Sequence, residues 1–154
     1  MKFAKMHGAG NDFILVDARG MERDWARLAR ALCHRHLGVG ADGLLLVVPS
    51  LQAALGMRMF NPDGSEAEAC GNGMRCFAKY AVEKGLAGGA AFPIETRAGL
   101  RQMTPRVRGG KVASVQVTLG KPIFAPESVP MRVEGELDII KDYPLMVGQK
   151  TLAI

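Results

Sequence analysis

A cysteine stands directly before a glycine-rich helix start near the middle of this 154-residue chain. The segment reads Cys70-Gly-Asn-Gly-Met-Arg-Cys76, and the run 73–84 has helical composition and stops at Gly85, a residue type that favours helix ends. A thiol at a helix N-terminus lies beside unpaired backbone N–H groups and the positive end of the helix dipole, and both lower a thiol's pKa. The segment therefore predicts that Cys70 acts as a proton acceptor.

Gly71 and Gly73 flank the asparagine of this segment. Glycine lets a substrate approach the backbone without meeting a Cβ atom, and the unpaired amides of a helix N-terminus bind anions such as carboxylates. A thiol beside a carboxylate site indicates chemistry on an amino or hydroxy acid. The alternative is a buried structural cysteine before a capped helix, because free cysteines are often buried.

Short strands and two helices are predicted to position this segment. We expect strands at 3–6 and 13–17 around a turn at 7–12, and a helix from an Asp24 cap to about residue 36. Trp25, Leu28, Ala29 and Leu32 recur at helical spacing and predict its buried face. Gly38 and Gly40 are expected to end it.

The rest of the chain reads mainly as strands. A buried strand is predicted at 44–48, and residues 58–60 precede an Asn-Pro-Asp-Gly turn. Strands at 92–96 and 100–108 follow the Cys70 helix, and a Gly-Gly turn leads to alternating apolar residues at 115, 117 and 119. The pattern predicts an α+β fold of mostly antiparallel strands.

Composition excludes several classes of protein. Apolar residues make up 48% and charged residues 23%, as in ordinary globular proteins, and no apolar run reaches the roughly 18 residues of a membrane span. Three cysteines at C-x36-C-x5-C spacing fit neither a disulfide framework nor a zinc pattern, and no apolar leader follows Met1. We expect a cytoplasmic protein that does not associate with membranes.

The net charge of +5 is concentrated between Glu95 and Glu127, where every charged residue is basic. Nucleic-acid binding requires a basic face interleaved with aromatic residues, and only Phe124 meets that need here. We expect a solvated basic hairpin and no nucleic-acid partner. His34 and His36 lie near Cys33, but positions i and i+2 of a helix point apart, so no metal site is expected.

Three motifs together resemble the N-terminal half of the diaminopimelate epimerase family. They are Lys5-Met-His-Gly-Ala-Gly-Asn-Asp-Phe13, Gly38-Val-Gly-Ala-Asp-Gly-Leu-Leu-Leu46, and Phe60-Asn-Pro-Asp-Gly-Ser-Glu66 running into the Cys70 segment. Their order and spacing match the family, and the resemblance covers essentially the whole chain but about half of the family's length.

The resemblance implies two similar lobes, each a curved sheet around a central helix, with an active site between them. On that template 1–120 is the N-terminal epimerase lobe, and 121–154 begins a second, incomplete lobe. It implies an isomerase that needs no cofactor and inverts diaminopimelate, in lysine and peptidoglycan precursor synthesis, by proton transfer between two thiols. Cys70 matches one catalytic thiol, and the other belongs to the C-terminal lobe. Four positions match residues that bind the substrate: Asn11, Asn61, Gly71 and Asn72.

Several expectations follow from this resemblance. The chain carries one of the two thiols, so alone it is expected to be inactive, and a homodimer or association with a C-terminal lobe is expected. From their places in the sequence, Cys33 beside the apolar stripe of the first helix and Cys76 on the Cys70 helix are expected to be core residues, and His7, near Asn11, to be structural or to lie behind the site. Gly43 departs from the family, some members of which place a substrate-contacting glutamine after the preceding aspartate, and it is left out of the predicted site.

Two other classes of function stay open at this point. The chain could be a non-catalytic lobe that binds an amino acid or a partner, or a redox protein that uses Cys70. The redox hypothesis is weakened because C-x5-C spacing on a helix does not bring two thiols together.

Overall fold

The computed structural model describes residues 1–129, 131–133, 135 and 137–153. The chain divides into two compact units, Met1–Leu119 and Gly120–Ile154. The first unit is described throughout and contains eight strands and two α-helices. They are β1 Ala4–Gly8, β2 Asn11–Asp17, α1 Trp25–Cys33, β3 Gly43–Val48, β4 Leu55–Phe60, β5 Glu66–Ala67, α2 Gly71–Glu83, β6 Phe92–Thr96, β7 Gly99–Arg108 and β8 Lys111–Val117.

One mixed sheet holds all eight strands of this unit. Its order is β1-β2-β3-β4-β6-β7-β8, and β5 pairs with β4. The pairs β2·β3 and β4·β6 are parallel and the others are antiparallel. Each parallel pair is joined through a helix, α1 for the first and α2 for the second, because parallel neighbours need a crossover. The α+β prediction is confirmed, but the strand pattern did not predict the two parallel pairs.

The sheet curves around α2. This helix contacts both β1 and β8, which are the two edge strands of the sheet, as well as strands between them. A flat sheet would hold its edges too far apart for one helix to reach both, since neighbouring strands are spaced by about 4.8 Å. Phe13, Leu45, Met74 and Phe77 are fully buried in this inner core. The predicted curved sheet with a central helix is therefore confirmed.

Helix α1 covers the opposite face of the sheet. Its residues Trp25, Ala29 and Cys33 pack in a second apolar cluster with Ile14 and Leu46. Successive residues of a strand point to opposite faces, so β3 supplies Leu45 to the inner core and Leu46 to the outer one. Coverage of both faces explains why the run at 44–48 is almost continuously apolar.

The first hairpin is tighter than predicted. The expected turn at 7–12 is wrong, because strand pairing continues to Gly8 opposite Asn11. Only Ala9 and Gly10 form the connection, and both have positive φ, +49° and +91°. Two-residue hairpin loops favour such angles because they match the twist of the strands. Asn11 is consequently the first residue of a strand and not a turn residue.

Helix α1 begins as predicted but ends earlier. The Asp24 side chain accepts a hydrogen bond from the Arg27 backbone N–H at 2.9 Å, which confirms the predicted cap. The helix stops at Cys33 instead of about residue 36, because His34 turns to an extended conformation. Gly38 closes this end, where a Cβ would lie 2.2 Å from the Ala31 carbonyl oxygen.

The second unit contains three elements among its described residues. A 3₁₀ turn spans Pro126–Ser128, and strands β9 Pro144–Val147 and β10 Lys150–Ala153 form an antiparallel hairpin. The predicted start of a second lobe at 121–154 stays a prediction, and its residues Pro130 and Ile154 lie outside the described residues. No helix in the described part of the chain has the length and apolar character needed to cross a membrane.

Candidate active site

The Cys70 thiol caps the N-terminus of the central helix. Cys70 has extended backbone angles, and its carbonyl oxygen accepts the hydrogen bond of Met74 N at 2.8 Å. Its sulfur accepts the N–H of Gly73 at 3.4 Å and is only partly buried. The predicted placement of Cys70 at a helix start is therefore what the structure shows.

Unpaired donors lie beside this sulfur. Within the described residues no acceptor pairs with the backbone N–H of Gly71 or Asn72, the first two residues of α2. The first turn of the helix contains no acidic side chain that would neutralise the dipole. This N-terminus can therefore receive an anion such as a carboxylate.

The two glycines of the segment differ in their surroundings. A Cβ added at Gly71 would meet Leu119 Cδ2 at 3.5 Å, an ordinary contact distance. A Cβ at Gly73 would lie 3.2 Å from Leu45 Cδ2 and 3.6 Å from the Cys70 sulfur, so this position is crowded by the core and by the thiol itself. Glycine at position 73 thus leaves room for the thiol and for Leu45, whereas a side chain at position 71 would be less crowded.

Two of the predicted substrate-binding residues touch each other. The Asn72 Nδ2 group donates a 2.8 Å hydrogen bond to Asn11 Oδ1, across 61 residues of sequence. The hairpin that carries Asn11 is packed against α2 at Gly8, where a Cβ would lie 3.2 Å from the Cys76 sulfur and 3.4 Å from the Asn72 carbonyl oxygen. Glycine at position 8 therefore permits the close approach that brings the first motif to the Cys70 segment.

Asn61 is not hydrogen-bonded to the other predicted site residues. It follows β4, and its Nδ2 group donates to Ser65 Oγ at 3.0 Å within the Asn-Pro-Asp-Gly turn. Phe13 lies beside Gly43 and Leu44 lies beside Phe60, so Asn61 and Asn11 occur at the same end of strands that are two positions apart. Strands two positions apart are separated by about 10 Å at the usual interstrand spacing.

Charged residues that the sequence did not single out surround Asn11. Its Nδ2 group donates to Asp42 Oδ2 at 3.2 Å, and Arg35 Nη2 binds Asp42 Oδ1 at 2.6 Å. On the other side Arg75 donates to Asn72 Oδ1. The i, i+3 spacing of Asn72 and Arg75 on a helix could have predicted the last contact.

The ion pairs of Asp12 make the stability of the fold depend on pH under acidic conditions. The Arg35 guanidinium and then the Lys5 ammonium hold the pKa of the Asp12 carboxyl well below its usual range. A carboxyl whose pKa is lowered by folding contributes stability above its unfolded pKa, near 3.9, and loses it as pH falls through the lower folded value. We expect the gap in urea midpoint between the wild type and Asp12→Asn to be full at pH 6 and to shrink steadily below about pH 4. A gap that is the same at pH 6 and pH 2.5 would contradict this assignment.

Gly43 and the histidines have structural explanations. A Cβ at Gly43 would lie 3.1 Å from the Phe60 carbonyl oxygen, so any side chain larger than that of glycine would require β4 to shift. His34 Nδ1 accepts the N–H groups of His36 and Leu37 at 3.2 and 3.0 Å, which completes the end of α1. His7 is exposed on β1, and among the described residues no group of three or more metal-binding side chains occurs.

The other two cysteines are core residues, as predicted. Cys33 is 2% exposed and Cys76 is 4% exposed, and burial raises the pKa of both thiols. We therefore expect iodoacetamide to modify Cys70 at least tenfold faster than either of them at pH 7.5, because alkylation requires an accessible thiolate. Peptide mass spectrometry over a time course measures the order. Faster modification of Cys33 or Cys76 in the folded chain would show that Cys70 is wrongly placed.

Comparison with known proteins agrees with the three motifs. The profile of the diaminopimelate epimerase family matches residues 3–125. The diaminopimelate epimerase of Moorella thermoacetica is 50% identical over 153 residues, which cover 98% of this chain and 54% of the relative. That of Halothermothrix orenii is 46% identical over 159 residues, covering 100% of this chain and 55% of the relative. The chain thus spans about half the length of the curated relatives it matches.

Solved structures show the same fold. A probable proline racemase from Agrobacterium radiobacter K84 matches with a TM-score of 0.64 at 19% identity, over 75% of this chain and 40% of that one. A hydroxyproline epimerase from Agrobacterium vitis matches with a TM-score of 0.63 at 19% identity, over the same shares. Because the family profile covers most of the chain and the sequence relatives share up to half of its residues, this chain belongs to the diaminopimelate epimerase family.

Proposed function

We propose that this chain provides one half of the active site of an amino-acid epimerase that acts on diaminopimelate without a cofactor. One observation supports this most strongly: the Cys70 sulfur stands at the N-terminus of α2, beside the unpaired N–H groups of Gly71 and Asn72. A substrate carboxylate bound to those amides brings its Cα hydrogen to the thiol side of the helix. Family membership and the names of the relatives supply the substrate class.

In the proposed reaction Cys70 acts as a thiolate base. It takes the proton from Cα, the electron pair of the C–H bond stays on Cα as a carbanion delocalised into the carboxylate, and an acid on the opposite face returns a proton to Cα. The helix amides stabilise the charge that develops on the carboxylate. A second acid/base group is required, and neither Cys33 nor Cys76 can supply it because both are buried in the two cores. We propose that it comes from a C-terminal lobe, and that the enzyme is cytoplasmic.

The amide side chains would hold the rest of the substrate. Asn11 and Asn72 form one wall beside the helix N-terminus, joined by their hydrogen bond. The Asn61 Nδ2 group faces Ser65, and its Oδ1 atom has no partner among the described residues, so it can accept a hydrogen bond from a ligand ammonium. The backbone N–H donors at the start of α2 suit the carboxylate of an amino acid, and the Asn61 acceptor across the sheet suits its ammonium group.

Ligand protection of the thiol tests this proposal. We expect LL-diaminopimelate to slow iodoacetamide modification of Cys70 at least threefold at a saturating concentration, and to leave Cys33 and Cys76 unaffected. The diamine 1,5-diaminopentane, which keeps the amine spacing of diaminopimelate but lacks both carboxylates, should not protect. Gly71→Val should abolish protection with little change in melting temperature, because a Cβ at this position would make only ordinary contacts, such as 3.5 Å to Leu119 Cδ2. Equal protection by the diamine, or unchanged protection in Gly71→Val, would contradict the carboxylate site.

A non-catalytic binding lobe would show the same protection. It differs from an epimerase lobe in proton exchange, because binding alone leaves the substrate Cα hydrogen in place. Exchange with solvent deuterium therefore separates these two functions. A redox role finds no support in the structure, since both other thiols of the chain are free and buried.

A further inference from the structure

A directional chain of hydrogen bonds connects the two asparagines with charged residues on either side. Arg75 donates to Asn72 Oδ1, Asn72 Nδ2 donates to Asn11 Oδ1 at 2.8 Å, and Asn11 Nδ2 donates to Asp42 Oδ2 at 3.2 Å. Arg35 Nη2 then binds the other oxygen of Asp42 at 2.6 Å. This series of hydrogen bonds runs from helix α2, across the start of β2, to the residue that precedes β3.

The two ends of this chain dictate its direction. A guanidinium has only donors, and an ionised carboxylate has only acceptors. Asn72 must therefore turn its oxygen toward Arg75 and its nitrogen toward Asn11, and Asn11 must turn its nitrogen toward Asp42. An amide that is flipped at either position would face donor to donor or acceptor to acceptor. Asparagine orientation is ambiguous in most sites, but here two charged groups settle it.

Asp42 is itself held in place from several sides. Its Oδ2 atom also accepts the backbone N–H of Asp12 at 3.1 Å, and its own backbone N–H donates to the Asp12 carbonyl oxygen at 2.8 Å. Arg35 spans the carboxyl groups of Asp12 and Asp42, at 2.8 and 2.6 Å. The Asp42 carboxylate therefore cannot turn away from Asn11 without breaking these contacts.

We propose that Asp42 and Arg75 are positioning residues that fix which face of Asn11 and Asn72 is presented to the substrate. This rests on the proposed function, in which those two asparagines line the substrate site. One N–H of Asn11 Nδ2 is used by Asp42, and the second is directed away from that carboxylate and can donate to a substrate oxygen. If Asn11 flipped, this donor would be replaced by an acceptor, which repels a carboxylate.

The side-chain amides themselves provide a test that needs no ligand. In a ¹⁵N-labelled chain, the Nδ2 resonances of the two asparagines are assigned from their loss in Asn11→Ser and Asn72→Ser. We expect Asp42→Asn to speed water exchange of the Asn11 amide protons about tenfold, because a hydrogen bond to a charged group is lost. Arg75→Gln should likewise speed exchange of the Asn72 amide protons. Glutamine can present an acceptor as well as a donor, so it does not fix the orientation of the Asn72 amide.

The matched control is Asp17→Asn, at the opposite end of β2. Asp17 forms an ion pair with Arg19, and its side chain is 34% exposed against 35% for Asp42. This control should leave both asparagine resonances unchanged. If Asp42→Asn does not fold, Arg35→Gln removes the exposed anchor of Asp42 and should raise exchange at Asn11 in a folded chain. Unchanged exchange at Asn11 and Asn72 in the folded variants would overturn the proposal.

Affinity for LL-diaminopimelate provides the functional readout. Measured well below the melting temperature of each variant, Asp42→Asn should weaken binding about tenfold, whereas Asp17→Asn should bind as the wild type does. A change in amide exchange without any change in affinity would overturn the positioning role for substrate. If the wild-type chain shows no affinity for diaminopimelate, the proposed function fails, and the exchange data still decide whether Asp42 and Arg75 orient the amides.

Discussion

Purified alone, the 154-residue chain should invert diaminopimelate at a negligible rate, and joining it to the C-terminal half of the Moorella thermoacetica relative should raise turnover at least about 1000-fold. Inversion needs acid/base groups on both faces of Cα, and one positioned group contributes about 10²–10⁴-fold. The chain offers one accessible thiol, because Cys33 and Cys76 are buried. In the proposed two-lobe enzyme a second lobe would also exclude water, which would strengthen the charge stabilisation at the helix N-terminus. Circular dichroism of the purified diaminopimelate follows the inversion.

Two variants of the joined chain sharpen this result. Cys70→Ser should reduce turnover by about 10²–10⁴-fold, and Cys33→Ala should leave turnover within about threefold, because Cys33 lies in the outer core. Robust inversion by the isolated chain would contradict the two-lobe account. It would instead indicate that two copies pair their Cys70 thiols across a shared site, which sedimentation velocity would detect as a dimer.

Truncation of Phe77 should destabilise the first unit by about 3–5 kcal/mol. Phe77 is fully buried on the helix around which the sheet curves, so its loss leaves a cavity among residues contributed by many strands. A loss of that size is a large share of the 5–15 kcal/mol that stabilises a typical domain. Urea unfolding of Phe77→Ala followed by circular dichroism measures the change.

Phe3→Ala is the matched control for this prediction. Phe3 is 48% exposed before β1, so the same chemical truncation leaves no enclosed cavity. We expect it to cost less than about 1 kcal/mol. Similar losses for the two variants would mean that α2 is not the centre of the core.

Local chemistry explains what could be predicted from the sequence. Cys70 was predicted at a helix start because the signals lie within a few residues of it, and the structure places it as the cap of α2. The predicted extent of the first hairpin was wrong because Ala9 takes a positive φ, which alanine rarely adopts and which its residue type therefore does not predict. Element types and a buried strand at 44–48 follow from composition and periodicity.

Contacts between distant segments are what the sequence pattern could not supply. Asn11 and Asp42 are 31 residues apart, and parallel pairing of β2 with β3 brings them together. No periodicity encodes that pairing, since it depends on how α1 crosses back over the sheet. The hydrogen bond between Asn11 and Asn72 likewise depends on the curvature of the sheet around α2. The motifs supply the site residues only as a prediction, whereas the fold shows how the side chains of Asn11 and Asn72 are oriented.

Deuterium exchange at the substrate Cα tests the central claim most directly. The joined chain is incubated with LL-diaminopimelate in D₂O, and deuterium at Cα is measured by mass spectrometry for the wild type, Cys70→Ser and the Cys33→Ala control. If Cys70 is the base at the α2 N-terminus, the wild type and Cys33→Ala will incorporate deuterium at equal rates, and Cys70→Ser will be slower by about 10²–10⁴-fold. Exchange by Cys70→Ser at the wild-type rate would show that another group removes the proton.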